Sequence, residues 1–238
     1  MSLQQTPPEY RIRQYRNGDM PQIRALLYEG FVTSKGSVVD VATRRALTGV
    51  PCIIAYCIFL GGAFLLLRSP SSSTLKAVGT SLMVLSTSLL LAAQAAIRRY
   101  ATRFCDEALE NDLHDINAHC INPGGGFWVA VREERVLGYV GLAHWPSEGT
   151  TEIRRMVVTE AFRHRGIARA LMDAARAHSD AIHNVQCVYV RTTDLQKTAQ
   201  RLYERLGFVP VQEETIGNWA GRTVRRLYKR TVDGRREQ

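Results

Sequence analysis

Met156-Val157-Val158-Thr159-Glu160-Ala161-Phe162-Arg163-His164-Arg165-Gly166-Ile167-Ala168 joins an apolar strand to a tight turn that opens a helix. At such a junction the unpaired N–H groups of the first helical turn and the positive end of the helix dipole converge. Gly166 and Ala168 let a phosphate approach the backbone closely. Three arginines add positive charge: Arg163, Arg165 and Arg169. The segment therefore predicts a site for an anion such as a pyrophosphate.

A second pattern lies downstream, at Ala199-Gln200-Arg201-Leu202-Tyr203-Glu204-Arg205-Leu206-Gly207-Phe208. Its spacing predicts a helix from Lys197 to Leu206 that ends at a glycine cap, Gly207. The chain contains neither GxxxxGK[ST] nor GxGxxG, so a nucleotide P-loop and a dinucleotide fingerprint are both excluded. The anion must be bound in another way.

Together the two patterns resemble the signature of the GNAT superfamily of N-acetyltransferases. In that superfamily Arg/Gln-x-x-Gly-x-Gly/Ala after an apolar strand binds the pyrophosphate of acetyl-CoA, and Arg163, Gly166 and Ala168 fill its three positions. A tyrosine at the place of Tyr203 lies near the cofactor sulfur. The resemblance implies acetyl-CoA as the acetyl donor, without a metal. It implies these cofactor-binding residues: Met156, Val157, Val158, Arg163, His164, Arg165, Gly166, Ile167, Ala168 and Arg169.

Two uncharged stretches, residues 46–67 and 77–97, precede these patterns. Each is close to the roughly 20 apolar residues that a helix needs to cross a bilayer core. The connection between them contains Ser69-Pro70-Ser71-Ser72-Ser73, which favours a turn. The simplest interpretation is a transmembrane helical hairpin. A pair of buried soluble helices is the alternative, because Gly61-Gly62 and the Ser/Thr-rich start of the second stretch weaken the membrane signal.

The charges around the hairpin predict its orientation. The connection carries only Arg68 and Lys76, whereas the outer flanks carry Arg44, Arg45, Arg98, Arg99 and Arg103. Because positively charged flanks favour the cytoplasmic side, both soluble parts are expected to face the cytosol. The endoplasmic reticulum is the expected membrane. Met1 to Tyr15 is polar and lacks the apolar core of a signal peptide, so secretion is not expected.

The hairpin narrows the resemblance to the camello-like membrane-bound N-acetyltransferases, which include aspartate and cysteine-conjugate N-acetyltransferases. The likeness extends from about Tyr10 to Tyr228. It includes Ala108-Leu109-x-x-Asp112-Leu113-x-Asp115-Ile116, Phe127-Trp128-Val129-Ala130-Val131 and Arg155-Met156. Two positions depart from it. Arg154 adds a charge where relatives are often apolar, and His164 stands where glycine or a basic residue is common.

The pattern of elements predicts an α/β (α+β) unit, and the resemblance implies a GNAT fold with a mixed central sheet and flanking helices, interrupted by the hairpin. Predicted strands are Tyr10–Tyr15, Phe127–Val131, Val136–Ala143, Thr151–Val158, Val185–Arg191 and Thr223–Tyr228. Predicted helices are Asp19–Glu29, Ala101–Cys120, Gly166–His178 and Lys197–Leu206. The expected organisation is an N-terminal strand and helix (1–46), the hairpin (47–97), the acetyl-CoA-binding catalytic domain (98–230) and a basic tail (231–238).

Acetyl transfer to an amine needs an unprotonated nucleophile, a stabilised oxyanion and a proton for the departing thiolate. The resemblance puts a carboxylate at Glu152, the expected general base, acting directly or through water; a solvent-facing strand residue is the alternative. Tyr203 is the expected acid, since a phenol can donate a proton, and a core tyrosine is the alternative. A backbone N–H of a splayed strand around Met156–Val158 is expected to meet the oxyanion.

Other residues are candidates for binding the acceptor. The resemblance puts an arginine at Arg155 in the aspartate-acetylating branch, where its guanidinium fork would bind a carboxylate; a structural arginine is the alternative. Asp112 and Asp115 are expected to orient the amine, unless they belong to a solvated helix face. His144 with Trp145 would line the acceptor mouth, or form an ordinary packed pair.

The net charge and the cysteine content limit the remaining classes of function. The net charge is +9, and much of the excess lies in the last seventeen residues, where an ordinary solvated face is the alternative to a binding surface. The charge fits an anionic cofactor or membrane surface, whereas a nucleic-acid partner lacks a stacking platform or motif. Five scattered cysteines without CxxC are expected to be reduced thiols.

The expected function is a membrane-anchored N-acetyltransferase that acts on a primary amine of a small amino acid or conjugate by direct attack in a ternary complex. The alternatives are acetylation of protein lysines or N-termini, and a noncatalytic acyl-CoA-binding membrane protein.

Overall fold

The computed structural model describes residues 10–68, 71–145, 147–217 and 222–232. These residues form a seven-stranded mixed sheet in the order β1-β2-β3-β4-β5-β7-β6. The strands are β1 (Arg11–Gln14), β2 (Gly126–Arg132), β3 (Arg135–His144), β4 (Thr150–Val158), β5 (Cys187–Thr193), β6 (Val209–Ile216) and β7 (Thr223–Thr231). The β4–β5 pairing is parallel and the other recorded pairings are antiparallel.

The described residues contain the helices α1 (Met20–Tyr28), α2 (Val38–Leu47), α3 (Val50–Arg68), α4 (Ser73–Glu110), α5 (Ile167–Ala181) and α6 (Lys197–Arg205), and some of them pack on the two faces of this sheet. On one face, called here the α5 face, α5 and α6 bury a core that includes Ile153, Val188 and Tyr203. On the other, the α1 face, α1 and the end of α4 bury a core that includes Ala143 and Val157. Successive residues of a strand point to opposite faces, which distributes the site residues between the two sides.

Most predicted elements are confirmed, including the three-stranded meander and the helices α5 and α6. The helix predicted over Ala101–Cys120 is confirmed in part. Residues 101–110 are the end of α4, which runs without a break through residue 97 to Glu110, and a short π-helix follows at Asn117–Ile121. Sequence patterns do not predict α2 or β6. Both lack the alternation of buried and exposed positions: α2 has no buried residue, and β6 is exposed except at Ile216.

The helices α3 and α4 form an antiparallel hairpin with close backbone contact. A Cβ atom added to Gly62 would lie 2.6 Å from the carbonyl oxygen of Gly79, and one added to Gly79 would lie 2.7 Å from that of Gly62. By length and composition both helices could cross a membrane. Only 17% of the apolar window of α3 and 6% of that of α4 is buried within this chain. Large apolar side chains such as Leu67, 84% exposed, cover their surface.

The five cysteines, all within the described residues, are free thiols, as the sequence predicts. Cys105 and Cys120 lie buried in the core of the α1 face. Residues 1–9 of the N-terminus and residues 233–238 of the basic tail lie outside the described residues.

Candidate active site

The strands β4 and β5 separate partway along their length. Their registered pairs run from Thr150–Cys187 to Ile153–Val190, yet β4 continues to Val158 and β5 to Thr193. The register between β3 and β4 shifts at the same level, where Arg155 adopts a φ of 54° typical of a bulge. Within the described sheet, residues 154–158 of β4 thus have no registered partner on β5. This splay is the local geometry that the sequence predicts around Met156–Val158.

The turn after β4, residues 159–166, is called here the phosphate loop. His164 and Gly166 have φ angles of 64° and 81°, in the left-handed region. Gly166 is the N-cap of α5 and provides no side-chain cap, so the first N–H groups of that helix keep their capacity for an anion. A Cβ atom on Gly166 would meet only the Tyr10 hydroxyl, at 3.5 Å. The glycine is therefore required for its backbone angle more than for space.

Arg163 holds the phosphate loop to the connection between α1 and α2. Its Nε donates to the Val158 carbonyl at 3.2 Å, and its two terminal nitrogens donate to the Lys35 carbonyl at 2.6 Å and to Ser34 Oγ at 2.9 Å. All three guanidinium nitrogens thus have protein acceptors. These three acceptors fix the conformation of the loop, and because they are neutral the guanidinium keeps the positive charge that the sequence predicts beside Gly166.

Two glutamates also hold the phosphate loop to the connection between α1 and α2. One oxygen of Glu29 accepts from Thr159 Oγ1 and from the backbone N–H of Glu160, each at 2.8 Å. Glu160 in turn accepts from the backbone N–H of Lys35 at 2.9 Å. The sequence offers no motif for these contacts, which join residues about 130 positions apart.

Among the other residues that are predicted to bind the cofactor, some are exposed and some are buried. Arg165 and Arg169 are exposed; the Arg165 guanidinium lies 4.9 Å from the Phe162 ring centroid, and the Arg169 side chain is 72% exposed. Ile167 and Val157 are buried in opposite cores. Their side chains face away from solvent, so only their backbone groups are available to a ligand.

Glu152 lies on the α1 face at the level where β4 and β5 begin to separate. It is registered opposite Ala143 of β3 and Tyr189 of β5, and its side chain is 5% exposed. Arg154 Nε donates to one carboxylate oxygen, and Arg191 Nε lies 3.3 Å from the other. The alternative of a solvent-facing strand residue does not fit this burial.

Tyr203 lies on the opposite side of the sheet, in the core of the α5 face. Its ring contacts Tyr228 at 6.0 Å and Phe208 at 6.2 Å between centroids. Burial raises the pKa of its phenol far above the usual value, so the side chain stays protonated at physiological pH. It therefore combines the properties of a core tyrosine with those of a neutral proton donor.

Arg155 has its guanidinium fork occupied. Its Nε and Nη2 donate to the two oxygens of Asp112 at 2.9 and 2.8 Å, and the group lies 5.0 Å from the Phe104 ring centroid. Asp115 is exposed and accepts from the backbone N–H of Ala118 at 3.0 Å, a local capping bond. The predicted acceptor residues Arg155 and Asp112 thus come together, but as partners of each other.

A pocket opens on the α1 face beyond β4, next to Arg191. Its lining consists of Trp145, Arg191, Gln212, Glu214, Arg225 and Leu227. Trp145 stacks on Tyr189, with ring centroids 5.1 Å apart, instead of pairing with the exposed His144. Among these residues only Trp145 is singled out by the sequence. The others carry no motif, because strands β5, β6 and β7 bring them together from separate parts of the chain.

Comparison with known proteins assigns the chain to a family. Residues 92–208 match the family model for acetyltransferases of the GNAT family. N-acetyltransferase 8B of Homo sapiens is 31% identical over 216 residues, which cover 89% of this chain and 89% of that protein. The chain belongs to the camello-like branch of the GNAT family. It is thereby assigned to a family of acetyl-CoA-dependent N-acetyltransferases.

Two further similarities show how much of each relative the chain matches. N-acetylaspartate synthetase of Rattus norvegicus is 30% identical over 211 residues, 85% of this camello-like chain and 64% of that protein. The chain therefore spans a little under two thirds of that relative's length. A GNAT-family acetyltransferase structure from Staphylococcus aureus Mu50 superposes with a TM-score of 0.53 at 15% identity, covering 94% of this chain and 99% of that one. That likeness shows the GNAT fold alone.

Proposed function

We propose that this protein is a membrane-anchored N-acetyltransferase, which transfers acetyl from acetyl-CoA to the primary amine of a small amino acid or amino-acid conjugate. The observation that carries the proposal is the separation of β4 and β5 between a buried carboxylate, Glu152, and an uncapped helix N-terminus at Gly166. The name of the N-acetylaspartate synthetases supports an amino-acid acceptor, with aspartate as the first to test.

The phosphate loop suits the pyrophosphate of acetyl-CoA. Free N–H groups at the start of α5 favour an anion, and the exposed Arg165 and Arg169 add positive charge. Met156 and Val158 would offer backbone N–H groups along the splayed edge of β4, while the backbone of Ile167 and Ala168 would face the phosphates. Acetyl-CoA, when bound, supplies a thioester whose carbonyl carbon accepts the amine.

The separation of base and acid between two faces supports direct attack in a ternary complex. Glu152 lies on the α1 face and Tyr203 on the α5 face, with the splay between them. An acceptor entering from the α1 face would give its ammonium proton to Glu152, directly or through water. The departing thiolate would take a proton from Tyr203 on the other side, because that phenol stays neutral. A backbone N–H of Met156–Val158 would stabilise the oxyanion between them.

Membrane anchoring is the second part of the proposal. The α3–α4 hairpin exposes a continuous apolar surface to its surroundings, including Leu60, Phe64 and Leu89. Arginines at the outer ends of the two helices favour a cytosolic catalytic domain, and the endoplasmic reticulum is the proposed membrane. Residues 98–230 would form the catalytic domain together with residues 1–46, although α4 continues across residue 97.

The test is thiol release from acetyl-CoA by the detergent-solubilised full chain. The acceptors compared are free amino acids, S-substituted cysteines, polyamines and lysine peptides. Turnover with free amino acids or S-substituted cysteines is the expected result. Turnover with lysine peptides alone would contradict the proposed acceptor. Binding of acetyl-CoA without turnover of any amine would favour a noncatalytic acyl-CoA-binding protein.

A further inference from the structure

Two arginines hold the carboxylate of Glu152 from either side. Arg154 Nε donates to Oε2, and Arg191 Nε lies 3.3 Å from Oε1. Within the part of the chain that the structure describes, no acceptor is recorded for the terminal nitrogens of either arginine. The side chains of Arg154 and Arg191 are 40% and 47% exposed. Each arginine therefore has a bound edge at Glu152 and an accessible edge with unused donors.

Arg191 is fixed more firmly than an ordinary surface arginine. Its guanidinium carbon lies 4.5 Å from the ring centroid of Trp145, and Trp145 is itself stacked on Tyr189. The indole thus contacts both Tyr189 and the guanidinium of Arg191, and it supports the arginine in this position. Preorganising a guanidinium reduces the entropy lost when its donors bind a carboxylate.

The charges in and beside this pocket do not balance. Arg154, Arg191 and Arg225 face two carboxylates, Glu152 and Glu214, which leaves one positive charge in excess. Arg225 pairs with Glu214 at 3.3 Å, so the excess lies around Glu152. An amino acid with a second carboxylate carries one net negative charge at neutral pH and would restore the balance.

We propose that Arg154, Glu152 and Arg191 form the acceptor site, and that they select an amino acid with two carboxylates. The amine of the acceptor lies at Glu152, its α-carboxylate on the free edge of Arg191 and its second carboxylate on that of Arg154. This inference rests on the proposed function and names the residues that bind and select the acceptor. Arg155, for which the sequence suggests the same role, has the Nε–Nη2 edge of its guanidinium bound to Asp112.

The experiment compares Arg191→Leu and Arg154→Leu in the full chain, with Arg201→Leu as the matched control. Arg201 is exposed on α6, across the sheet from the pocket. Steady-state rates are measured with L-aspartate, L-glutamate, L-asparagine and L-glutamine. Loss of a charge-assisted carboxylate contact corresponds to about a ten- to hundredfold loss of affinity. Arg191→Leu is expected to raise KM for all four by that factor, and Arg154→Leu to remove the preference for the acids over their amides.

Neither substitution is expected to change the KM for acetyl-CoA, and the control is expected to match the wild type. An unchanged acid-to-amide ratio in an active Arg154→Leu variant, or unchanged KM values for all four amino acids in an active Arg191→Leu variant, would overturn the inference and leave the proposed function standing. Should a leucine variant fail to fold, Trp145→Leu tests the support of Arg191 and is expected to raise the same KM values less strongly.

Calorimetry separates the inference from the proposed function. L-aspartate is titrated into the wild type and into Arg191→Leu, each saturated with coenzyme A. Binding that is lost in the variant supports the acceptor site even if no amine is turned over. Absence of binding to the wild type, or equal binding to both proteins, would contradict it.

Discussion

Arg155 and Asp112 form a two-point ion pair that joins the bulge of β4 to the segment directly after α4, with nitrogen–oxygen distances of 2.9 and 2.8 Å. Because α4 is also the second helix of the hairpin, one continuous helix connects the exposed apolar surface to the strand of the proposed site. The pair is mostly shielded from solvent, with side chains 20% and 9% exposed. Its first role is therefore to fix the position of the hairpin relative to the site.

Asp112→Asn is expected to destabilise the protein, because it leaves the Arg155 guanidinium without its charged partner in a mostly buried place. Removing one partner of a buried pair costs about 3 kcal/mol. Thermal unfolding in detergent measures this loss. Glu214→Gln, which breaks the exposed pair with Arg225, is the control and is expected to cost under about 1 kcal/mol. A fall in kcat without any loss of stability would instead favour Asp112 as a group that orients the acceptor.

Gly166→Glu is expected to abolish acetyl-CoA binding. The substitution puts bulk and negative charge at the N-terminus of α5, where the pyrophosphate is proposed to lie. Gly207→Glu is the matched control, because Gly207 has a similar φ of 84° and open space around it, so it carries the same backbone strain away from the loop. Calorimetric titration of both variants compares their affinities. Undiminished affinity in folded Gly166→Glu would remove the phosphate loop from the proposal.

The sequence predicts those parts of the fold and site whose signal is local. The turn at Gly166 is an example, since the residue types that favour a left-handed angle and an uncapped helix start stand next to each other in the chain. The helix that ends at Gly207 is another, because a periodic apolar pattern and a glycine cap occur together. The meander of β2, β3 and β4 is predicted for the same reason.

The parts that sequence reasoning misses depend on distant contacts. Arg163 has the right residue type for an anion, but the packing of Ser34 and Lys35 against the phosphate loop gives its donors other acceptors. Arg191 has no motif at all, and its proximity to Glu152 follows from the parallel register of β4 and β5. Local patterns do not encode such a register. The exposed strand β6 is missed because it buries no face that could impose an alternating pattern.

Gly62→Leu is expected to destabilise the α3–α4 hairpin, whereas Gly61→Leu is not. A Cβ atom at Gly62 meets a backbone carbonyl oxygen at 2.6 Å, which the facing helix can relieve only by moving away. No atom lies within 4 Å of a Cβ atom at Gly61. Overpacking of this kind costs about 2 kcal/mol. Thermal unfolding in detergent of the two neighbouring variants gives a direct comparison, and equal stability would contradict the close helix contact.

Tyr203→Phe is expected to lower kcat at least tenfold while leaving the KM for acetyl-CoA nearly unchanged, because it removes the proton donor and keeps the ring that packs on Tyr228. The control is Tyr139→Phe, since the Tyr139 hydroxyl is buried without a hydrogen-bond partner in the described structure and lies in the core of the α1 face. Steady-state kinetics of both variants separate the two roles. An unchanged kcat in Tyr203→Phe would leave this residue as a core tyrosine only.

The Tyr203→Phe variant is also expected to change how the free energy of unfolding depends on pH. Burial raises the pKa of Tyr203 in the folded protein above 10.0, its ordinary value, so below pH 10 the phenol is neutral in both states and contributes no pH dependence. Above pH 10 the unfolded chain ionises first. The free energy of unfolding then falls by about 1.4 kcal/mol for each further pH unit from this group alone. Denaturant unfolding between pH 8 and pH 11 measures the slope, which should be shallower in Tyr203→Phe than in the wild type. Equal slopes would mean that the phenol is accessible enough to ionise in the folded protein, and the neutral donor proposed for the thiolate would then be untenable at high pH.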